Sequence, residues 1–304
     1  MDRELLAHFP IVLAVAQRGG FAAAAAALNM SPSAVSHAVK TVEDRLGQPL
    51  FARTTRSVAL TEAGATFVAS IGPAFAMVEE SIERIRADVG QVTGALRLNA
   101  PRLALPLAIT SVIVEMSRLY PALTIEVTSD ESLVNIVDAG FDAGVRLGEM
   151  IAQDMVTVRL TKPFKAIMVA APAYLETHPA PRSIADLAAH NCIGYRLLSS
   201  GAAYAWDLQD EGRDVSVSVN GSVRVTDPLY ARDLAREGVG IAYLFEPLVR
   251  EELRTRRLKQ VLPAASIEEP GLFLYFPRYA AQAPKLRAFI DVARRVLGVA
   301  RPAY

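Results

Sequence analysis

Apolar residues recur at helical spacing through the first ninety positions and gather into short strand-like runs beyond them. Phe9, Val12, Leu13 and Ala16 form one apolar stripe, and Gly19-Gly20 ends the helix it predicts. The alanines from Ala22 to Leu28 predict a short second helix whose small side chains let another helix come close, with Asn29 as its stop. A third helix is framed by Ser31 as N-cap, Pro32 at its first position and Gly47 at its end. At about 100° per residue, Val35, Ala38, Val39, Val42 and Leu46 share one side of it. Ser33, Ser36, His37, Lys40, Thr41 and Asp44 share the other. One side is a core seam; the other is polar and partly cationic.

The pattern then changes twice. Pro49-Leu50-Phe51 opens an extended segment, and Arg53 and Arg56 punctuate a polar hairpin that ends at Leu60. Thr61 caps a further helix, along which Phe67, Ile71, Phe75, Val78, Ile82 and Ile85 continue an apolar stripe to about residue 89. Gly72-Pro73 predicts a kink in it. So long a stripe needs burial, and a symmetric dimer supplies it. After a short hinge at Val92-Thr93-Gly94, strands are predicted at 95–100, 123–128, 143–147, 166–171, 192–195, 215–219, 241–244 and 271–276. Helices stand between them, including 228–237 and 283–296, and the alternation predicts an α/β fold of parallel sheets flanked by helices.

Composition narrows the function. The chain has 304 residues, of which 52% are hydrophobic, enough for two or three compact units with sizeable cores. Thirty-two basic and 32 acidic residues leave a formal net charge of zero. The first sixty residues carry six positive and four negative charges, so charge alone does not single out a nucleic acid partner. Cys192 is the only cysteine, which excludes an internal disulfide and reads as a small core residue before it reads as a nucleophile. With no leader-like start and no apolar run of membrane length, a soluble cytoplasmic protein is expected. The four histidines, His8, His37, His178 and His190, lack metal-ligand spacing, so no metal and no cofactor are expected.

Ser36 beside His37 raises the question of a hydrolase. No Gly-x-Ser-x-Gly turn surrounds either Ser33 or Ser36, and neighbours on a helix point about 100° apart. No enzyme activity is expected. Two helices joined by a tight turn, the second with a short polar face, describe instead a helix-turn-helix, whose second helix fits a DNA major groove about 12 Å wide. From that helix alone, a solvated surface remains the simpler reading.

Three stretches carry a resemblance. Phe21-Ala-Ala-Ala-Ala, then SPSAVSHAVKTVEDRLGQPLFART from Ser31, then LTEAG at 60–64, resemble the N-terminal signature of LysR-type transcriptional regulators over about residues 5–90. The resemblance implies a winged helix-turn-helix at 1–60, a dimerising linker helix at 61–90 and a hinge at 91–94. A regulatory domain at 95–304 would follow, built as two α/β subdomains resembling a type 2 periplasmic binding protein. Subdomain I would comprise 95–164 and 268–304, with subdomain II at 165–267 between them. Ser31, Ser33, Ser36, His37, Lys40 and Thr41 become candidate contacts to double-stranded DNA, with Arg53 and Arg56 as phosphate-gripping wing residues. Pro32 departs from the glutamine common in the family, so no base contact is carried over to it.

The same resemblance implies a small effector between the subdomains and assembly as a homodimer or homotetramer. Ligands of open α/β sheets sit beyond the carboxyl ends of strands, near helix N-termini. The candidates there are Pro101, Arg102, Leu103, Thr128, Ser129, Arg146, Tyr195, Arg196 and Thr226. Arg102 and Arg146 motivate an anionic co-inducer; Arg102 also reads as a turn residue and Thr226 as a helix cap. Tyr204 and Trp206 read as a small core under a loop before they read as cleft aromatics. The competing expectation is a cytoplasmic solute-binding or metabolite-handling protein, even an enzyme, with an N-terminal interaction domain.

Overall fold

The computed structural model describes residues 3–53, 58–87, 92–130, 135–148, 151, 155–198 and 200–299. Helices α1 (Arg3–Leu6), α2 (Phe9–Arg18), α3 (Phe21–Ala27) and α4 (Pro32–Leu46) open the chain. Their apolar stripes meet in one core, where Val12, Val15, Ala24, Val35, Val39 and Val42 are buried. Small residues matter here, because Ala24 and Ala25 let α3 lie against both α2 and α4. Gly19 and Gly47 end α2 and α4 in the left-handed region, at φ 67° and 68°. Asn29 turns α3 into α4 at φ 54°. Leu46, expected on the core seam, is 44% exposed, so the seam ends at Val42.

Strands β1 (Phe51–Arg53) and β2 (Val58–Leu60) form a small antiparallel wing, and α5 (Glu62–Ala87) follows. The Glu43 carboxylate ties the wing to α4 by accepting from the amides of Leu50 and Phe51, at 2.8 and 3.2 Å. Gly64 permits the close seating of α5, since a Cβ there would lie 2.0 Å from the Leu50 carbonyl oxygen. Helix α5 runs unbroken through Gly72 and Pro73, the pair at which a kink is predicted. A proline removes one backbone donor from a helix. Packing around it offsets that loss: Phe67 and Phe75 meet Phe9 edge to face, with ring centroids 5.0 and 6.4 Å away. Further along, the stripe is bare. Met77, Val78, Ile82 and Ile85 are all exposed. The expected end of this helix at 88–90 and the start of the expected hinge at 91 lie outside the described residues.

The rest of the chain builds two sheets. The first contains β3 (Gly94–Ala100), β4 (Leu123–Ser129), β5 (Ala143–Leu147) and β6 (Val156–Arg159), with α6 (Thr110–Leu119) between β3 and β4. The second begins at β7 (Phe164–Ala170), followed by α7 (Pro172–Thr177), β8 (Cys192–Arg196) and β9 (Ala203–Tyr204). A separate ribbon of β10 (Trp206–Asp210) and β11 (Arg213–Val217) lies over it. Then come β12 (Arg224–Val225), α8 (Pro228–Arg236), β13 (Ile241–Phe245), α9 (Glu246–Arg254), β14 (Lys259–Val261) and β15 (Ile267–Glu269). The chain returns to the first sheet in β16 (Leu272–Phe276) and ends on α10 (Pro284–Leu297).

Strand order is β4-β3-β5-β16-β6 in the first sheet and β12-β8-β13-β7-β14 in the second, with β9 paired to β8 and β15 to β7. The alternation of strands and helices predicts parallel sheets, but neither sheet is wholly parallel. β3 runs parallel to β4 and β5, whereas β16 runs antiparallel to both of its neighbours, and β13 to β7. The reason is connectivity. Strands that enter or leave a sheet at a crossing are not constrained to the parallel direction that a βαβ unit imposes.

The two crossings lie side by side. Leu160 donates to the Leu272 carbonyl at 2.8 Å, and the Leu272 amide donates to Thr161 Oγ1 at 2.9 Å. Gly271 sits there at φ 90°, where a Cβ would come within 2.8 Å of the Lys162 carbonyl oxygen. The first sheet packs on α6 and α10 through Leu96, Leu98, Met116 and Phe289. The second buries Trp206, Leu208 and Tyr243 on one face and Ala231, Ala235 and Val249 on the other.

Candidate nucleic-acid interface and ligand cleft

The α4 face follows from its capping and its seam. Ser31 Oγ accepts from the Ala34 amide at 3.2 Å, and its hydroxyl also lies 3.0 Å from that of Ser33. Thr41 donates back to the His37 carbonyl at 3.0 Å. These hydroxyls serve the helix itself in this state. Ser33, His37 and Lys40 are exposed, Ser36 and Thr41 half-buried. Among the described residues, the side chains of His37 and Lys40 make no hydrogen bond or ion pair within the chain. Burial of Val35, Ala38, Val39 and Val42 on the opposite side holds that face outward. Arg53 lies in β1, but its side chain is outside the described residues, as is the whole of Arg56.

Between the two sheets lies a cavity of about 910 Å³, within the range of small-molecule sites. From the first sheet's side come Pro101, Leu103, Arg146 and Leu147; Tyr195, Arg196, Thr226 and Tyr243 come from the second. Arg146 is 3% exposed, donating to Asn99 Oδ1 at 2.6 Å and to the Val145 carbonyl at 2.7 Å. The opposite wall is tied by tyrosines. Tyr195 donates to the Tyr243 carbonyl at 3.0 Å, and Tyr243 donates to the Asp207 carbonyl at 2.6 Å. Tyr204 donates to Asp207 Oδ2 at 2.5 Å. Burial pushes the Tyr195 and Tyr243 hydroxyls well above the ordinary phenol range, and neighbouring carboxylates push the same way, so both stay protonated donors.

Residues 6–65 match the bacterial regulatory helix-turn-helix family of the lysR type, and residues 90–298 match the LysR substrate binding domain. The chain belongs to the LysR family of transcriptional regulators. It is 37% identical to the uncharacterized HTH-type transcriptional regulator YcaN of Escherichia coli, over 96% of this chain and 95% of that one. With the HTH-type transcriptional regulator PgrR of Escherichia coli it shares 31% identity, over 96% and 97%. Among solved structures it resembles CrgA of Neisseria meningitidis, at TM-score 0.62 and 25% identity, covering 96% of this chain and 99% of that one. The full-length Vibrio cholerae virulence activator AphB shares the fold at TM-score 0.61 and 23% identity, covering 98% and 100%. As a LysR-type regulator, the chain joins a DNA-binding helix-turn-helix to an effector-binding domain.

Within this regulator, the cavity gathers six of the nine residues picked out beyond the strand ends: Pro101, Leu103, Arg146, Tyr195, Arg196 and Thr226. Thr128 and Ser129 are exposed at the end of the edge strand β4 and do not line it. Arg102 does not line it either; its guanidinium lies 2.9 Å from Asp227 Oδ2. The cap of α8 is Asp227, which accepts from the Leu229 amide at 2.9 Å, so Thr226 is not the cap that its position suggested.

Sequence reasoning missed the acidic wall. Asp207, Asp214, Glu268 and Glu269 all border the cavity. The available signal was the polar–apolar alternation of residues 206–210, which marks a one-sided strand. Tyr204 lines the cavity, whereas Trp206 is fully buried and stacked on Tyr243 at 5.5 Å. Burial raises the Cys192 thiol to about 11, which leaves no thiolate for nucleophilic chemistry near neutral pH.

Proposed function

We propose that α4 is the DNA-reading helix of this regulator and that the cavity between the two sheets is its effector site. Ser33, Ser36 and His37 would meet base edges or phosphates in the major groove, while Lys40 would neutralise a phosphate. Ser31 and Thr41 would position that surface, and Arg53 and Arg56 would grip phosphates beside the groove. One observation carries the reading: a four-residue buried seam orients a short, exposed polar face on a helix capped at both ends.

The exposed Met77, Val78, Ile82 and Ile85 support pairing of α5 helices in a homodimer, and two such dimers would give a homotetramer. Two α4 helices related by a two-fold axis would then read a roughly palindromic site. An effector that binds one arrangement of the subdomains better than another would shift the population toward it and alter the spacing of the readers. Among the described residues no single helix is long and apolar enough to cross a membrane. Action on cytoplasmic DNA, without catalysis, is the consistent setting. A gel-shift titration at fixed salt tests the reading. The full-length protein should bind the intergenic DNA beside its own gene far more tightly than a random duplex; equal affinity for the two rejects it.

A further inference from the structure

The charges around the cavity do not suit a simple anion. Arg146 and Arg196 are answered by Asp207, Asp214, Glu268 and Glu269, so the lining carries more negative than positive charge. The carboxylates are also placed by the fold. In the β10–β11 ribbon, Asp207 pairs with Ser216 and Gln209 with Asp214. Alternate residues of a strand share a face, and Trp206 and Leu208 point into the core. Asp207, Gln209, Asp214 and Ser216 therefore present one polar face, with no cation on it, toward the cavity. Tyr204 fixes the Asp207 carboxylate by donating to Oδ2 at 2.5 Å.

The opposite pole has different chemistry. Arg146 projects from the first sheet, 3% exposed, with Asn99 Oδ1 orienting its guanidinium. A desolvated, oriented guanidinium is suited to a carboxylate. The lining also holds apolar side chains, among them Leu103, Leu147, Leu244 and Phe245.

We infer that this cleft selects a zwitterion, with a carboxylate for Arg146 and a protonated amine for the Asp207–Asp214 ribbon, held apart by an apolar body. The inference rests on the cavity being the effector site. It replaces the anionic co-inducer that Arg102 and Arg146 suggested from sequence, because Arg102 is paired with Asp227 and the ribbon repels a second negative charge.

Three probes of equal length separate the ligand classes: 6-aminohexanoate, adipate and 1,6-diaminohexane. Calorimetry and thermal shift on the full-length protein, with each probe up to millimolar concentration, should show the aminohexanoate binding most tightly. In Asp207→Asn/Asp214→Asn the preference should move toward adipate by about tenfold or more, and in Arg146→Met it should move toward the diamine. Asp214→Asn alone, at an exposed position, keeps the test valid if the double variant folds poorly. Adipate binding as tightly as aminohexanoate to the unmodified protein, or no binding by any probe, overturns the zwitterion. If adipate wins and Arg146→Met abolishes its binding, the cleft stands as the effector site and only the ligand class is lost. A probe whose binding ignores both sets of substitutions overturns the cleft as well.

Discussion

The polar face of α4, proposed to meet DNA, and the wall of the cleft, proposed to hold an effector, are built in opposite ways. On α4 the proposed contact side chains come from nine successive residues, Ser33 to Thr41, are exposed or half-buried, and rest on a seam that does not include them. In the cleft they come from both sheets and the ribbon, and along β10 they alternate with core residues. Asp207 lies between Trp206 and Leu208, both fully buried. If these surfaces bind as proposed, binding chemistry is separable from stability at α4 and coupled to it in the cleft.

The sharpest test of that coupling is Trp206→Ala. Removing a fully buried tryptophan costs about 3–5 kcal/mol through lost burial and the cavity left behind. The ribbon loses its seat against Tyr243, so urea denaturation should show a large loss and calorimetry should show ligand binding gone. A variant that kept both stability and ligand binding would mean that the ribbon does not build the wall. Gly64→Ala asks the reciprocal question in the N-terminal unit. Its Cβ would meet backbone at 2.0 Å, and overpacking of that kind costs about 1–3 kcal/mol. The N-terminal transition should fall and DNA affinity with it, although no residue of the α4 face has changed. DNA affinity preserved at full strength would contradict the proposed dependence of the face on the α5 seat.

Lys40→Ala should instead leave denaturation untouched. It should lower affinity for all duplexes alike and reduce the salt slope by about 1, whereas Ser36→Ala should cost selectivity more than general affinity. A fall in melting temperature with an unchanged salt slope would move Lys40 out of the interface and into the fold.

The same contrast explains what could be read from the sequence. A 3.6-residue period separated the α4 seam from its face within sixteen positions, and local caps at Ser31 and Gly47 fixed its ends. The strands expected at 143–147 and 192–195, observed at 143–147 and 192–196, were legible for a similar reason, as short apolar runs between turns. Local pattern cannot report pairing between distant segments. The antiparallel β16, the ribbon over the second sheet and the four carboxylates that border the cleft depend on which strands meet. At Pro73 the helix continues past a local breaker, with Phe67 and Phe75 packed on Phe9 to either side of it.

Arg102 tests the boundary between the two behaviours. It follows β3 beside the cleft mouth, yet it pairs with Asp227, the N-cap of α8, and thereby joins the two subdomains. With its side chain 60% exposed, the ion pair is well hydrated, and such pairs contribute about 0–1 kcal/mol. Arg102→Ala should therefore barely change the melting temperature. If the pair only links the subdomains, Arg102→Ala and Asp227→Asn should shift effector affinity by the same small factor, and the double variant should do no more than either. If Arg102 leaves Asp227 to take the ligand carboxylate, Arg102→Ala alone should lose about tenfold or more, because a charge-assisted contact is gone. Calorimetric titration of the three variants separates the two, and the first outcome is expected, since the guanidinium already lies 2.9 Å from a carboxylate and outside the cavity lining.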